Sequence, residues 1–274
     1  MYSDLFSLFG LTIHAYGLML AIGFISCYLL AQRLARLGGR NPKEIDTLIM
    51  VTAICGIIGA RVVYVIQNWQ REFAEQPLQI FRLWEGGLVF YGGFLMALAG
   101  LAAYALLKRE KIGELWGFCA VFVPLGHAFG RIGCFFHGCC FGARTQGWLG
   151  VRFPAHSPAW IQQVNTGEIS RHTVRALPVL PTQLFEAAGC FLLFGALWWI
   201  YRRGGAGRGA RVCGVYGIAY AVMRFALEFL RDDPRGERFL GLSFSQCISM
   251  GVLLAGVAFL VVSYMEKKHG TIDR

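Results

Sequence analysis

Five charged side chains lie inside or at the edges of otherwise apolar stretches: Arg61, Arg131, Glu186, Arg224 and Glu228. A charge placed in hydrocarbon is costly, so each must face a partner, a cavity or a ligand. Three arginines against two acids leave a positive surplus in a low-dielectric setting. An anion is the simplest compensation. Arginine suits phosphate because its planar fork donates two parallel hydrogen bonds. The competing reading is that these groups pair as helix glue or snorkel to the interface. Other polar or small residues fall on the same apolar segments: Tyr16, Tyr91 with Gly92 and Gly93, Gln183 and Tyr220. Together these types point to recognition of a phosphate-bearing lipid headgroup.

The elements that carry them follow from composition. Of 274 residues, 56% are hydrophobic and 15% charged, with a mean hydropathy of +0.51. A soluble domain carries roughly a quarter charged residues, so the chain is read as a membrane protein. Apolar runs able to cross ~30 Å of hydrocarbon fall near 15–34, 45–67, 88–107, 115–136, 184–201, 212–230 and 243–264. The fold class is therefore all-α, a polytopic membrane protein with about seven transmembrane helices. One transmembrane domain covers 1–274, with an ordered extracytoplasmic loop at about 142–182, since a structureless loop of that length is uncommon unless functional. Residues Met1 to Gly10 hold an acid, Asp4, and no basic run, so no cleavable leader is expected.

Orientation follows from basic residues. With the N-terminus outside, every lysine (Lys43, Lys108, Lys111, Lys267 and Lys268) falls in a cytoplasmic segment or tail. The bias predicts N-out and C-in. It also accounts for the net charge of +10, so no nucleic-acid partner is expected. With this topology the polar residues of six spans share one depth, below the headgroups of the outer leaflet.

At 130–142 the chain reads GRIGCFFHGCCFG. This resembles the signature of the prolipoprotein diacylglyceryl transferase family, GR-x-G with a further glycine nine residues on, here Gly133 and Gly142. Five other blocks are similar in order and spacing: HAYGLML at 14–20, GARVVYV at 59–65, GGLVFYGG at 86–93, PTQLFE at 181–186 and YAVMRFALEFLR at 220–231. They cover nearly the whole membrane core. The resemblance implies a bacterial cytoplasmic (inner) membrane enzyme whose active site faces the outer leaflet. It would move diacylglyceryl from phosphatidylglycerol to the lipobox cysteine of prolipoproteins, recognised by their signal peptides. Carried over by position, Arg131 and Arg224 hold the phosphate, and Glu228 orients an arginine. Arg61, Gln183 and Glu186 line the site, and Tyr16 and Tyr220 contact headgroup or acceptor. Gly92, Gly93, Gly133 and Gly142 allow close backbone approach to lipid or helix.

The chain departs from the family pattern at three positions. Tyr91 stands where the family often has His, Cys134 where it often has Asn, and Cys139 where it often has an acid. A phenol near pKa 10 is a poor base at neutral pH unless an arginine lowers it. Tyr91, His127 and His137 remain alternatives for the proton acceptor, although a lone His in a span more often packs than reacts.

Of nine cysteines, six lie singly in spans and read as small apolar residues. Cys134, Cys139 and Cys140 cluster around His137. Zinc ligands usually come in CxxC pairs, which this run lacks, and a disulfide is open on an oxidising face. Free thiols are the preferred reading, with no metal and no cofactor expected. Competing functions are a lipid-binding transporter or scramblase, a relative with another acceptor, a thiol redox protein, and a lapsed relative that only binds prolipoproteins.

Overall fold

The computed structural model describes residues 4–8, 11–83, 86–205, 207–231 and 242–272. A short antiparallel hairpin, β1 (Asp4–Leu8) and β2 (Leu11–His14), leads into the first helix. The helices are α1 (Ala15–Leu37), α2 (Lys43–Asn68), α3 (Phe90–Leu107), α4 (Ile112–Ala120), α5 (Val123–His137), α6 (Pro158–Asn165), α7 (Thr182–Arg203), α8 (Arg208–Glu228) and α9 (Phe244–Ile272). Six stretches among the described residues are long and apolar enough to cross a membrane, and Tyr91–Leu107 is a shorter seventh apolar helix. Only 17–39% of each long window is buried inside the protein. Such apolar faces need lipid as their solvent.

The breaks between helices have local causes. Gly39 adopts φ +72 after α1, a left-handed turn that glycine takes without a Cβ clash. Pro42 and the Asn41 side chain, which accepts from the Lys43 amide at 3.0 Å, start α2. The fourth apolar run, continuous in sequence, is two helices with a turn at Val121–Phe122 and Pro124 in the first turn of α5. A proline supplies no N–H for a continuing ladder, so α4 ends before it.

The chain divides into two compact units, residues 31–116 and residues 1–30 with 117–274. In the first, α2 packs on α3 through small residues. A Cβ on Gly59 would stand 2.3 Å from Met96 Cβ, and one on Gly92 2.5 Å from the Gly59 carbonyl oxygen. Arg40 closes this unit's far end through Glu110 at 2.7 Å and Glu44 at 3.2 Å.

In the second unit α7 packs on α5 and α8, and α8 on α9. The segment after α5 is ordered around its own core of Phe141, Phe153, Ala159, Trp160, Ala176 and Val179. Ser157 caps α6 by accepting from the Trp160 amide. Gln163, 3% exposed, exchanges two hydrogen bonds with the backbone of Leu177, at 2.7 and 3.3 Å. A buried amide satisfied at both ends fixes this loop in one conformation.

Candidate functional site

Ala128, Ala187 and Cys190 are buried together where α5 meets α7. These small side chains let the two backbones approach, which carries Arg131 to Glu186. The Arg131 Nε–H is shared between His127 Nε2 at 2.9 Å and Glu186 Oε2 at 3.0 Å. His127 Nε2 also lies 3.3 Å from Glu186 Oε1. Glu186 is 1% exposed. Its oxygens make close ionic contacts without well-aligned hydrogen bonds, so the stronger directional bond of Arg131 runs to the imidazole. His127 thereby spends its Nε2 lone pair on the arginine. Arg131 is gripped at its inner nitrogen, and its two terminal Nη groups meet no protein acceptor among the described residues.

The second arginine comes from α8. Arg224 and Glu228 are four residues apart, so they share a helix face, and Arg224 Nη2 lies 2.8 Å from Glu228 Oε2. Arg224 is 6% exposed, and its Nη1 is buried with no hydrogen-bond partner in the described protein. One turn earlier, Tyr220 sets its ring 5.5 Å from that of His127 and stacks on Tyr216 at 5.7 Å. Glu186 feels the charges of both Arg131 and Arg224. Each arginine is thus held by one nitrogen, and both act on Glu186 through their charge.

The rim is built at the C-terminal end of α5. Gly133 has no side chain because the Tyr16 ring occupies that place: a Cβ there would sit 2.8 Å from Tyr16 Cδ2. Gly138, at φ +80, ends the helix. Gln183 donates from Nε2 to the Cys139 carbonyl at 2.6 Å, and Thr182 donates from Oγ1 to the Cys140 carbonyl at 3.1 Å. Gln183 is fully buried, and its Oε1 has no partner in the described protein. The Sγ atoms of Cys134, Cys139 and Cys140 all lie within 4.8 Å of one another as free thiols. The Cys140 thiol is held below the usual range by hydrogen bonds from Cys134 and Cys139, with Arg131 and Arg231 adding to the effect. Gly142 is packed under Leu230, Thr182 and Leu180.

The remaining expected site residues, Arg61, Tyr91, Gly92 and Gly93, belong to the unit of 31–116. Arg61 is 7% exposed and, among the described residues, donates to backbone carbonyls: Nε to Ile80 at 2.9 Å, Nη1 to Gly86 at 2.8 Å and Gly87 at 3.2 Å, Nη2 to Gln79 at 2.6 Å and Arg82 at 3.4 Å. Its guanidinium also lies 5.5 Å from the Tyr64 ring and 5.4 Å from Phe73. In the unit that holds Glu186, Arg131 and Arg224 face Glu186 and Glu228. Each of two arginines has its acid, and what is left over is donor groups rather than net charge. Gly92 and Gly93 meet Gly59 and Gly56 backbone, the helix contact among the two close approaches expected of them. Tyr91 is half exposed in the first turn of α3. Sequence reasoning missed Thr182 and weighed His127 as a proton acceptor or a packing residue, not as a partner of Arg131. The i, i+4 spacing of His127 and Arg131 on one helix was the available signal.

Apolar helices of membrane-spanning length, with paired charges and a buried unpartnered donor between them, define a multi-pass membrane protein. Residues 3–262 match the family model described as prolipoprotein diacylglyceryl transferase. The phosphatidylglycerol–prolipoprotein diacylglyceryl transferase 2 of Clostridium perfringens is 33% identical over 267 residues, covering 97% of each chain. The transferase of Clostridium tetani is 32% identical over 96% of this chain and 98% of its own. That of Xanthomonas oryzae pv. oryzae is 32% identical over 94% and 90%. The chain belongs to the prolipoprotein diacylglyceryl transferase family.

Proposed function

We propose that this protein transfers the diacylglyceryl group of phosphatidylglycerol to the lipobox cysteine thiol of prolipoproteins. One observation carries the reading: Arg131 and Arg224 are each anchored through one nitrogen while other N–H donors, Arg224 Nη1 among them, lack a protein acceptor. A buried donor without a partner is costly, and phosphate oxygens satisfy guanidinium forks. The acceptor sulfur, as thiolate, attacks the glyceryl carbon, the carbon–oxygen bond breaks, and glycerol phosphate leaves with the bonding pair. Negative charge grows on the departing phosphate, where preorganised donors lower the barrier most.

In this reading Arg131 and Arg224 bind the phosphodiester and Glu186 and Glu228 hold them in place. Tyr16, Tyr220, Gln183 and the turn from Cys134 to Gly142 line the substrate path. Arg61 positions the loop 79–87, and Gly92 and Gly93 seat α3, with Tyr91 at the start of that helix. The protein works in the bacterial inner membrane, N-out and C-in, with the site toward the outer leaflet and residues 142–182 over it, where secreted signal peptides arrive. The transfer assay decides: purified protein, phosphatidylglycerol vesicles and a lipobox peptide should yield a thioether-linked diacylglyceryl peptide and glycerol phosphate. No product, with an active family member working in parallel, overturns the assignment.

A further inference from the structure

The transfer reading gives the three thiols at the end of α5 no chemical step of their own, yet their placement is built. Side chains of adjacent residues ordinarily point to opposite sides of an extended chain, so Cys139 and Cys140 would not normally share a target. Cys140 adopts φ +59, a left-handed conformation that a non-glycine residue takes only when its surroundings impose it. Those surroundings are visible. Gly138 turns the chain at φ +80, Gln183 holds the Cys139 carbonyl at 2.6 Å, Thr182 holds the Cys140 carbonyl at 3.1 Å, and the Cys139 thiol donates to the Cys134 carbonyl at 3.8 Å. Gln183 and Thr182 are themselves at most 1% exposed. The outcome is three sulfurs within 4.8 Å of one another, each on a half-buried residue.

That spacing is the one a shared ion requires. Sulfurs each about 2.3 Å from one zinc ion stand ~4 Å apart. Three protein ligands with one open position is also the composition of catalytic rather than structural zinc sites. The sequence offers no CxxC pair, which is why spacing alone argues against a metal; the left-handed turn supplies what spacing lacks.

The geometry points to a trithiolate site in Cys134, Cys139 and Cys140 for a thiophilic d10 cation, Zn2+ in the first instance, whose open position takes the acceptor cysteine. This rests on the transferase reading for its catalytic half. Coordination to such an ion removes a thiol's proton outright, so the S–H proton passes to solvent as the metal–sulfur bond forms. The bound sulfur then uses a lone pair to form the new carbon–sulfur bond, the metal–sulfur bond weakens, and the carbon–oxygen bond pair departs on the phosphate. No electrons enter or leave. Tyr16 and Arg131 stand within electrostatic reach of the same thiols, which sets the ion beside the phosphate-binding arginine. His127 is committed to Arg131, and the ion supplies the thiolate without it.

Two measurements on the full-length protein in detergent test the site and its role separately. Reduced protein dialysed against Zn2+ should retain one equivalent, and Co2+ in its place should give a thiolate-to-cobalt charge-transfer band. Cys134→Ser, Cys139→Ser and Cys140→Ser should each lose both, while Cys247→Ser keeps both. Unchanged stoichiometry in the three variants, or recovery of these thiols as a disulfide that does not bind Zn2+ after reduction, overturns the site. For the role, chelation should abolish transfer and Zn2+ should restore it, with phosphatidylglycerol binding unaffected. Full transfer by chelated, zinc-free protein overturns the catalytic role. Retained zinc with no transfer under any condition, beside an active family member, counts against the transferase reading and leaves the site standing on its stoichiometry.

Discussion

Arg131 Nε stands 3.0 Å from Glu186 Oε2 across the junction of α5 and α7, and that carboxylate is 1% exposed. Among the described residues, Arg131 and His127 are the close groups that offset its desolvation, with Arg224 adding from further off. Glu186→Gln keeps the shape and removes the charge, leaving a guanidinium in the core without its acid. Breaking a buried pair from one side costs about 3–5 kcal/mol. The variant should melt well below the parent in detergent and lose transfer. A stable, active Glu186→Gln protein would show that the pair does not organise the site.

Replacing Arg131 or Arg224 by lysine separates charge from geometry. Lysine retains the counter-ion for Glu186 or Glu228 but presents a compact ammonium in place of the planar guanidinium, so it loses the paired, spread donors that span the acid and a phosphate. Stability should change little, while kcat falls about 10²–10³-fold, the usual loss when one transition-state donor is removed. Arg208→Ala, where the side chain lies over the Tyr201 ring at 4.6 Å, should leave transfer intact. Equal activity in all three would remove the arginines from the reaction.

The spans were legible because uninterrupted apolar runs in a chain with few charges admit little besides lipid-facing helices. Arg131, Glu186, Arg224 and Glu228 were legible for the same reason: a charge in such a run stands out. The duty of Arg61 was not. Its acceptors are the carbonyls of Gln79, Ile80, Arg82, Gly86 and Gly87, and a backbone carbonyl has no residue type to read. Gly92 and Gly93 were visible as small residues, but whether the approaching atom is lipid or the backbone of α2 depends on helix pairing. The cysteine cluster was visible in the spacing, but the convergence of its sulfurs was hidden behind the dihedral of Cys140.

Arg61 predicts a structural phenotype. Its five backbone contacts hold the loop that joins α2 to α3, and hydrogen bonds from a charged donor contribute about 1.5–3 kcal/mol each, not additively. Arg61→Ala should lower the melting temperature and expose residues 79–87 to protease, with Arg61→Lys intermediate. Any loss of transfer should track the loss of folded protein. An Arg61→Ala protein with parental melting behaviour and no transfer would instead put this arginine in contact with substrate.

Gly142 gives the sharpest distinction between packing and chemistry. Its amide donates to the Leu180 carbonyl at 2.8 Å, the next amide donates to Leu230 at 2.8 Å, and Leu180 returns a bond to Ala143 at 2.9 Å. This joint fixes the start of α7, and with it Thr182 and Gln183, which hold the cysteine turn. A Cβ on Gly142 would sit 2.5 Å from the Leu230 carbonyl oxygen and 2.6 Å from Thr182 Cγ2. Neither can move without shifting the joint, so Gly142→Ala should cost about 1–3 kcal/mol of overpacking. The displaced turn should lower transfer by up to about 10²-fold, as a misplacement of roughly 1 Å does. Gly251, with nothing within 4 Å of its Cβ position, is the matched control, where alanine should be neutral or stabilise α9 by about 0.5–1 kcal/mol. Thermal melts and transfer rates on the two variants check both halves, and an active, parentally stable Gly142→Ala protein would show that the joint yields without disturbing the site.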